Sequence, residues 1–568
     1  MDRDRLFTYA TKSAATMALD LAELQDSKSC FSESQVTSPQ LCTVTEKRAC
    51  RIFERLHVWN EFLCHLRLEL REQSPRELWL VALDYLGWDA HTEQQRHQAA
   101  NLVYWLLKNH RCVVGLQLKS WFDFREYEHL LVGALCSSSG LKSMKLRSSH
   151  FESRLLLREI APAIPYLTAL EELECGVMEQ LHGIIGPLCS LVASSSSLRS
   201  LCLRDCKFNA LDSKLFSDAL STSSVNALFI NSSCLMPVTG DYNVGFAYYL
   251  ENSSTLTTLV VVSSAYGRFR ELKSVVGALG NNRTLLNVCL ESFIVDYEAA
   301  KSIEKFLVNN SVIRSFSVKH CQWYEEGYGL WGARYDTDDF GVLSERIRPW
   351  LSILRNNRSL EELRLELSAF SPAECLEFFK ELGESPNLKK VTIEDLYLYF
   401  SRRGRRVCND ASGEEREASC SDRPDVVLLG CKQLCKIRVS FHNASDMLWF
   451  TLALKALPLC QHVTIVEIDF NHRSIDERVA SVAAEYIEKT KVLKCLTLSF
   501  VMPMGASRYS WFRVQDVAPN WTLSQCQCYK VHVENAGARQ RGIPFAGEYG
   551  EIQQNDMQSS RSRNDRKY

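Results

Sequence analysis

The chain has 568 residues, with 66 Lys plus Arg against 68 Asp plus Glu, a formal net charge of −2, 46% hydrophobic and 24% charged residues. These are ordinary globular values, and they exclude wholesale disorder and a global basic field for nucleic acid. No window approaches the ~18 consecutive apolar residues of a membrane span, and the start, MDRDRLFTYATKSAATMALD, has no apolar run of signal-peptide type.

Residues 1–45 are Ser-rich and weakly patterned, with one helix expected near Phe7 to Leu24. Residues 46–112 are more apolar, and RIFERLHVWNEFLCHL and NLVYWLLKNH both have helical period. A helical N-terminal capping region is expected there. The triplet Leu63-Leu66-Leu68 leaves room for an irregular first strand.

From Val113 onward one pattern dominates: an apolar residue, two variable ones, an apolar one, one variable, and an apolar one. Leu198-Leu201-Leu203, Leu256-Leu259-Val261, Leu285-Val288-Leu290, Leu360-Leu363-Leu365 and Leu493-Leu496-Leu498 are examples. Its first position falls at Val113, Leu141, Leu170, Leu198, Val225, Leu256, Leu285, Ile313, Leu360, Leu388, Leu434, Val463 and Leu493. Most steps are 27–31 residues, while those of 47 and 46 imply two inserted loops. The end of each motif alternates as a strand does. The intervening segments have helical period: Tyr127-Leu130-Leu131-Ala134-Leu135, Ile303-Phe306-Leu307, Ile347-Leu351-Leu354 and Cys375-Phe378-Phe379-Leu382. One strand and one helix per ~28 residues bury a core only when stacked, which predicts an α/β solenoid with a curved parallel sheet inside and helices outside.

This pattern resembles a leucine-rich repeat, and the 28–29-residue length with helices resembles the ribonuclease-inhibitor-like subfamily and the repeat regions of NLR-type proteins. The resemblance covers Val113 to Phe500 and implies a horseshoe of about 13 repeats. The family signature adds Asn or Cys three residues after the third apolar position. This chain supplies Cys206, Cys321 and Asn471 there, but Ser149, Ser233, Ser264, Ser368, Trp121, Phe293 and Leu396 elsewhere. A degenerate side-chain ladder is therefore expected. The resulting organisation is a 1–45 segment, a 46–112 cap, and repeats over 113–500 with insertions near 322–340 and 401–425. A C-terminal cap over 501–552 and a disordered 553–568 tail complete it.

The first insertion, QWYEEGYGLWGARYDTDDF, is aromatic and acidic, as binding loops can be. The second carries RRGRR followed by an acidic run and reads as solvated, with a nuclear signal or anion site as the alternative. Among seven N-x-S/T sequons, those at Asn252, Asn282, Asn309 and Asn357 recur just before the motif. They read as structural, closing helices through the left-handed conformation. The 22 cysteines mostly sit inside apolar patterns and read as reduced, buried thiols of a cytoplasmic or nuclear protein.

In repeat geometry the variable strand residues face the concave side. The candidate partner-binding set is Lys119, Lys145, Arg147, Phe229, Val260, Val262, Glu362, Arg364, Glu366, Lys390, Glu394, Lys436, Arg438, Glu467 and Asp469. Phe229, Val260 and Val262 form an apolar centre that needs a cover. Glu366 is expected to be exposed enough that its replacement barely alters stability.

No G-x-x-x-x-G-K-[ST], H-E-x-x-H or G-x-S-x-G occurs. Cys431/Cys435, with Cys408 and Cys420 upstream, and Cys526/Cys528/His532 are too sparse for zinc. No catalytic residue, cofactor or metal is therefore assigned. The expected function is a non-enzymatic, monomeric protein-interaction scaffold, with no nucleic acid and no membrane. The alternatives are an F-box-like substrate receptor of a ubiquitin ligase, recruiting through 46–108, and an enzyme regulator acting as inhibitor or GTPase activator.

Overall fold

The computed structural model describes residues 42, 50–83, 92–118, 126–147, 158–176, 184–204, 206–237, 242–263, 271–323, 347–367, 372–385, 387–397, 433–440, 465–474, 495–501, 521–526 and 530–535. The helix expected near Phe7, nearly all of both insertions and the tail lie outside them.

The thirteen motifs give thirteen strands. They are β3 (Val113–Leu118), β4 (Ser143–Arg147), β5 (Glu172–Gly176), β6 (Ser200–Leu203), β7 (Ala227–Asn231), β8 (Thr258–Val262), β9 (Asn287–Glu291), β11 (Ser315–Lys319), β13 (Glu362–Glu366), β14 (Lys390–Tyr397), β15 (Leu434–Ser440), β16 (Ile465–Ser474) and β17 (Cys495–Val501). Before them come β1 (Leu68–Ser74) and β2 (Glu77–Ala82), and after them β18 (Trp521–Cys526) and β19 (Lys530–Asn535). These make one open 17-stranded sheet. Pairing is parallel and sequential from β2 to β17. Antiparallel strands finish both ends, β1 on β2 and β19 on β17, with β18 outermost. The short β10 (Ile294–Val295) and β12 (Gln322–Trp323) pair separately.

The helices are α1 (Leu56–Leu63), α2 (Glu93–Asn109), α3 (Glu128–Ser137), α4 (Ile185–Ser194), α5 (Ala210–Ser221), α6 (Val244–Asn252), α7 (Glu271–Ala278), α8 (Tyr297–Asn309), α9 (Arg348–Asn356) and α10 (Pro372–Glu384). The four segments expected to be helical are α3, α8, α9 and α10. Local chemistry starts several of them. Thr92 and Gln95 form a capping box on α2, and Asn209, Asn243 and Asp296 accept from backbone N–H groups at the starts of α5, α6 and α8. In the repeat before β5, the prolines of Ala161–Tyr166 leave only a 3₁₀ turn.

The motif's apolar positions form a continuous core. Leu198, Leu201 and Leu203 are fully buried, and so are Leu256 and Leu259, with Leu360, Leu363 and Leu365 at 2% exposure each. The architecture is thus an α/β leucine-rich repeat solenoid, with the sheet on its concave side and helices on its convex side.

The region before the first repeat differs in detail from expectation. Leu63 ends α1, Leu66 sits in a 3₁₀ turn, and Arg67, with φ 53°, breaks the run before β1. The strand beside the first repeat is instead β2, whose Leu78 and Leu80 enter the core. Its motif is disguised by a register shift between Leu78 and Trp79, which removes one variable residue.

The asparagine reading also needs correction. Asn310 and Asn357 are extended (ψ 119° and 131°), and no asparagine is among the positive-φ residues. Their side chains join repeats instead. Three residues before each motif, Asn282 accepts from the Thr284 and Leu285 amides and donates to Leu250 O at 2.7 Å. Asn310 accepts from Val312 and Ile313 and donates to Asn282 O. Asn357 accepts from Ser359 and Leu360 and donates to Leu307 O at 2.6 Å. Earlier repeats use Ser195 and Ser253, whose hydroxyls accept the Leu198 and Leu256 amides. One residue before the motif a second row forms. Ser197, Ser224, Thr255, Thr284 and Ser359 each donate to a carbonyl of the preceding repeat. Gly140 holds that place where a Cβ would lie 2.7 Å from the Arg111 Cα. Asn252 and Asn309, one residue off the row, are exposed.

Candidate functional site

Three rows of side chains line the concave sheet, at the third, fifth and seventh motif positions. They differ in what they bind. At the seventh-position edge the polar groups bind one another. Arg204, just past β6, donates to Glu291 of β9, and Lys319 of β11 lies 3.8 Å from the same carboxylate. Glu291 and Lys319 are only 14% and 15% exposed. The ion pair spans Asn231 of β7 and Val262 of β8. Next to it, the wholly buried Glu271 accepts from Ser232 and, at 2.6 Å, from Ser263.

Glu366 belongs to this edge. It is buried and accepts from the His320 and Cys321 backbone amides, where His320 takes φ 52° to turn the chain from β11 to β12. The expectation of an exposed, replaceable Glu366 is therefore corrected: it holds a strained turn in place.

The third-position edge is open. Glu362 and Lys390 face each other on β13 and β14, 3.5 Å apart and about half exposed. Ser315 on β11 donates to Glu362 at 3.4 Å. One position earlier, Lys142 lies near Glu77 and Glu171, and Glu361 lies between Lys389 at 2.6 Å and Arg314 at 3.8 Å. The hydrogen bond from Lys389 and the nearby Arg314 charge hold the Glu361 carboxyl below the usual carboxylate range.

Between the edges, Phe229, Val260 and Cys289 lie side by side on β7, β8 and β9. Phe229 and Val262 are half-buried, whereas Val260 is buried among its neighbours at 8% exposure. Burial, with Glu291 alongside, pushes the Cys289 thiol up to about 11. Arg364 and Lys436 are also half-buried.

At the N-terminal end, Lys145 of β4 lies 5.1 Å from the centre of the Trp79 ring and 4.0 Å from Glu172. Trp79 reaches there from β2 across Gly115 of β3. A Cβ at Gly115 would strike the indole at 2.1 Å, so only glycine fits beneath it. This cation–aromatic stack escaped the sequence reading because β2 did. Its signal was the alternation in ELWLVA.

Lys119 lies outside the described residues. Arg147, Glu394, Arg438, Glu467 and Asp469 are described in backbone only. Register places Glu394 opposite Glu366 and Arg438 opposite Glu467, while Asp469 pairs with Ser440.

The thirteen cysteines whose side chains are described form no disulfide. Cys435, of the sparse pair considered in the sequence, donates to Val391 O at 3.4 Å, and Cys206 donates to Cys175 O. The residues best suited to a metal lie elsewhere: the ligand atoms of Cys42, Cys50, His110 and Cys112 are all within 4.8 Å of one another. A second unread feature is convex. Leu211 and Leu215 on α5 and Val244 and Tyr248 on α6 are exposed apolar side chains.

No helix among the described residues is long and apolar enough to cross a membrane. No family model matches the chain, and no curated protein matches it. Eighty-two chains of solved structures do match. One is the leucine-rich repeat-containing protein LegL7 from Legionella pneumophila, at 12% identity and a TM-score of 0.30, covering 68% of this chain and 93% of that one. Another is TLR13 in its complex with ssRNA13, at 13% identity and a TM-score of 0.28, covering 76% of this chain and 54% of that one. The repeat architecture of this chain stands on its own strand spacing and register.

Proposed function

We propose that the chain is a non-enzymatic protein-interaction scaffold that receives a protein partner on the concave sheet. The observation that carries this reading is the open third-position edge. Charged side chains there are held by ion pairs in water, which are individually weak and exchangeable. The half-buried Phe229, in the row between the edges, supplies an apolar centre next to it, the usual arrangement of an interface. Of the candidate residues, Lys145, Phe229, Glu362, Arg364, Lys390 and Lys436 fit this surface, while Val262 lies on the closed edge under the Arg204–Glu291 pair. Val260 and Glu366 serve the fold beneath it.

The segment from 50 to 112 is read as a cap. The pairing of β2 with β3 and the burial of Leu78 and Leu80 support that reading over a detachable recruitment module. Thirteen cysteines outside any disulfide suit a reducing compartment, cytoplasmic or nuclear.

The test is affinity capture from native cells with the full chain, beside Phe229→Glu and the double variant Glu362→Lys/Lys390→Glu. Partners lost from variants that melt like the parent chain support the concave reading. An unchanged partner set would sink it and turn attention to the convex Leu211–Tyr248 surface, the caps and the insertions.

A further inference from the structure

We propose that Cys42, Cys50, His110 and Cys112 form a structural zinc site that fastens the N-terminal segment to the first repeat. The four residues come from three places in the chain, and Cys50, His110 and Cys112 are buried while Cys42 is half-buried. Their ligand atoms all lie within 4.8 Å of one another. The Cys50 Sγ is 3.5 Å from the His110 Nδ1. Zinc at ~2.3 Å from sulfur and ~2.0 Å from nitrogen, with tetrahedral angles, sets such a pair ~3.6 Å apart. Three thiolates and one neutral imidazole are a closed, four-coordinate donor set of structural type, and its softness favours zinc over hard cations.

The repeat pattern makes these residue types conspicuous. His110 stands three residues before Val113 and Cys112 one residue before it. In later repeats those places hold Ser195, Ser253, Asn282, Asn310 and Asn357, and Ser197, Ser224, Thr255, Thr284 and Ser359. Those side chains bond within their own repeat and to the carbonyls of the repeat before. The first repeat has no full repeat before it. Its two positions carry metal-ligand chemistry and face Cys50 and Cys42 instead. The Cys42 amide donates to Asn109 O at 3.3 Å, so the segment already docks at the end of α2. The His110 ring is wedged against Trp105, with centroids 4.3 Å apart, which fixes its orientation.

Without a cation the site is unfavourable for thiolates. Its three sulfurs crowd within 4.8 Å of one another and repel when ionised. A divalent ion reverses this, and loading releases three protons. A disulfide is the competing chemistry, and three cysteines would leave one of them over.

The experiment is metal analysis of the full chain purified without chelator, with cobalt substitution. The expected result is one zinc per chain. Cobalt should give tetrahedral d–d bands in the visible and thiolate charge transfer in the near ultraviolet. Cys112→Ser and the more exposed Cys42→Ser should each lower zinc at least tenfold under chelator challenge, and Cys136→Ser should keep it. Because Cys42→Ser removes a half-exposed ligand, it keeps the test decisive if Cys112→Ser fails to fold. Less than a tenth of an equivalent of zinc with no cobalt uptake would overturn the proposal. So would full zinc retained in both ligand variants, or a native disulfide among Cys42, Cys50 and Cys112 in the peptide map.

Discussion

The two edges of the concave sheet are built from the same strands and from the same residue types, yet they have opposite fates. At the seventh-position edge, Glu291, Lys319, Glu271 and Glu366 are withdrawn from water and bind the half-exposed Arg204, one another, hydroxyls or backbone amides. At the third-position edge, Glu362, Lys390, Lys142 and Glu361 stay in solvent and make only surface pairs. The difference teaches that charge on a repeat strand does not by itself mark a binding face. A buried charge is committed, because losing its partner leaves an uncompensated group in low dielectric. An exposed charge is available, because exchanging its partner costs little.

The largest expected effect comes from the core beneath both edges. Leu363→Asp places an unpaired charge in the interior and should cost about 3–5 kcal/mol or abolish folding, as read by thermal or denaturant melting. An unchanged melt would break the phase assignment on which both edges depend. On the closed edge, Glu366→Lys strands the His320 and Cys321 amides and should cost about 2–4 kcal/mol in the same measurement. A neutral result would erase the distinction between the edges. Asn310→Ala removes one hydrogen bond to the preceding repeat and two within its own, and should cost about 2–3 kcal/mol. Ser253→Ala, which loses one, should cost about 1 kcal/mol.

A pH titration sharpens the contrast further. The Cys289 thiol is raised in the fold from its ordinary value of 9.0 to about 11 by burial, then by Glu291. The fold therefore favours the neutral thiol. That stability is complete below pH ~9 and falls as pH rises toward ~11, by on the order of 1–2 kcal/mol. Cys289→Ala should flatten this part of the stability curve. The smallest effect belongs to the open edge. Glu362→Lys and Lys390→Glu, singly, should each change stability by less than about 0.5 kcal/mol. Their influence should be on partner capture.

The repeat phase was legible because a buried apolar triplet at fixed spacing is a strong signal, and all thirteen motif strands were found from it. The strand β2 was missed because one residue is dropped at Leu78–Trp79, which moves its apolar residues out of the motif. The asparagines were recognised as structural but for the wrong reason. A left-handed cap and an inter-repeat bridge leave the same residue at the same place, and only the backbone angle separates them. The buried role of Glu366 was illegible for a similar reason. Strand alternation gives the face of a residue, but not how a neighbouring turn closes over it. The Cys42, Cys50, His110 and Cys112 cluster spans three stretches of chain with no zinc-finger spacing. Its trace was His and Cys standing where several later repeats carry Ser, Thr or Asn.

The asparagine bridge also passes over the first insertion. Asn357 reaches Leu307 O across 50 residues, and Ser359 reaches Asn310 O across 49, just as Thr284 reaches Leu256 O across 28. The stack therefore closes between β11 and β13 without reading the length of chain in between. At that junction, as where Gln433 reaches Ser385 O across 48 residues, the number of residues in between does not set the stacking. The bonds between β11 and β13 therefore predict that a change in the number of residues between Trp323 and Ile347 leaves the pitch of the array as it is.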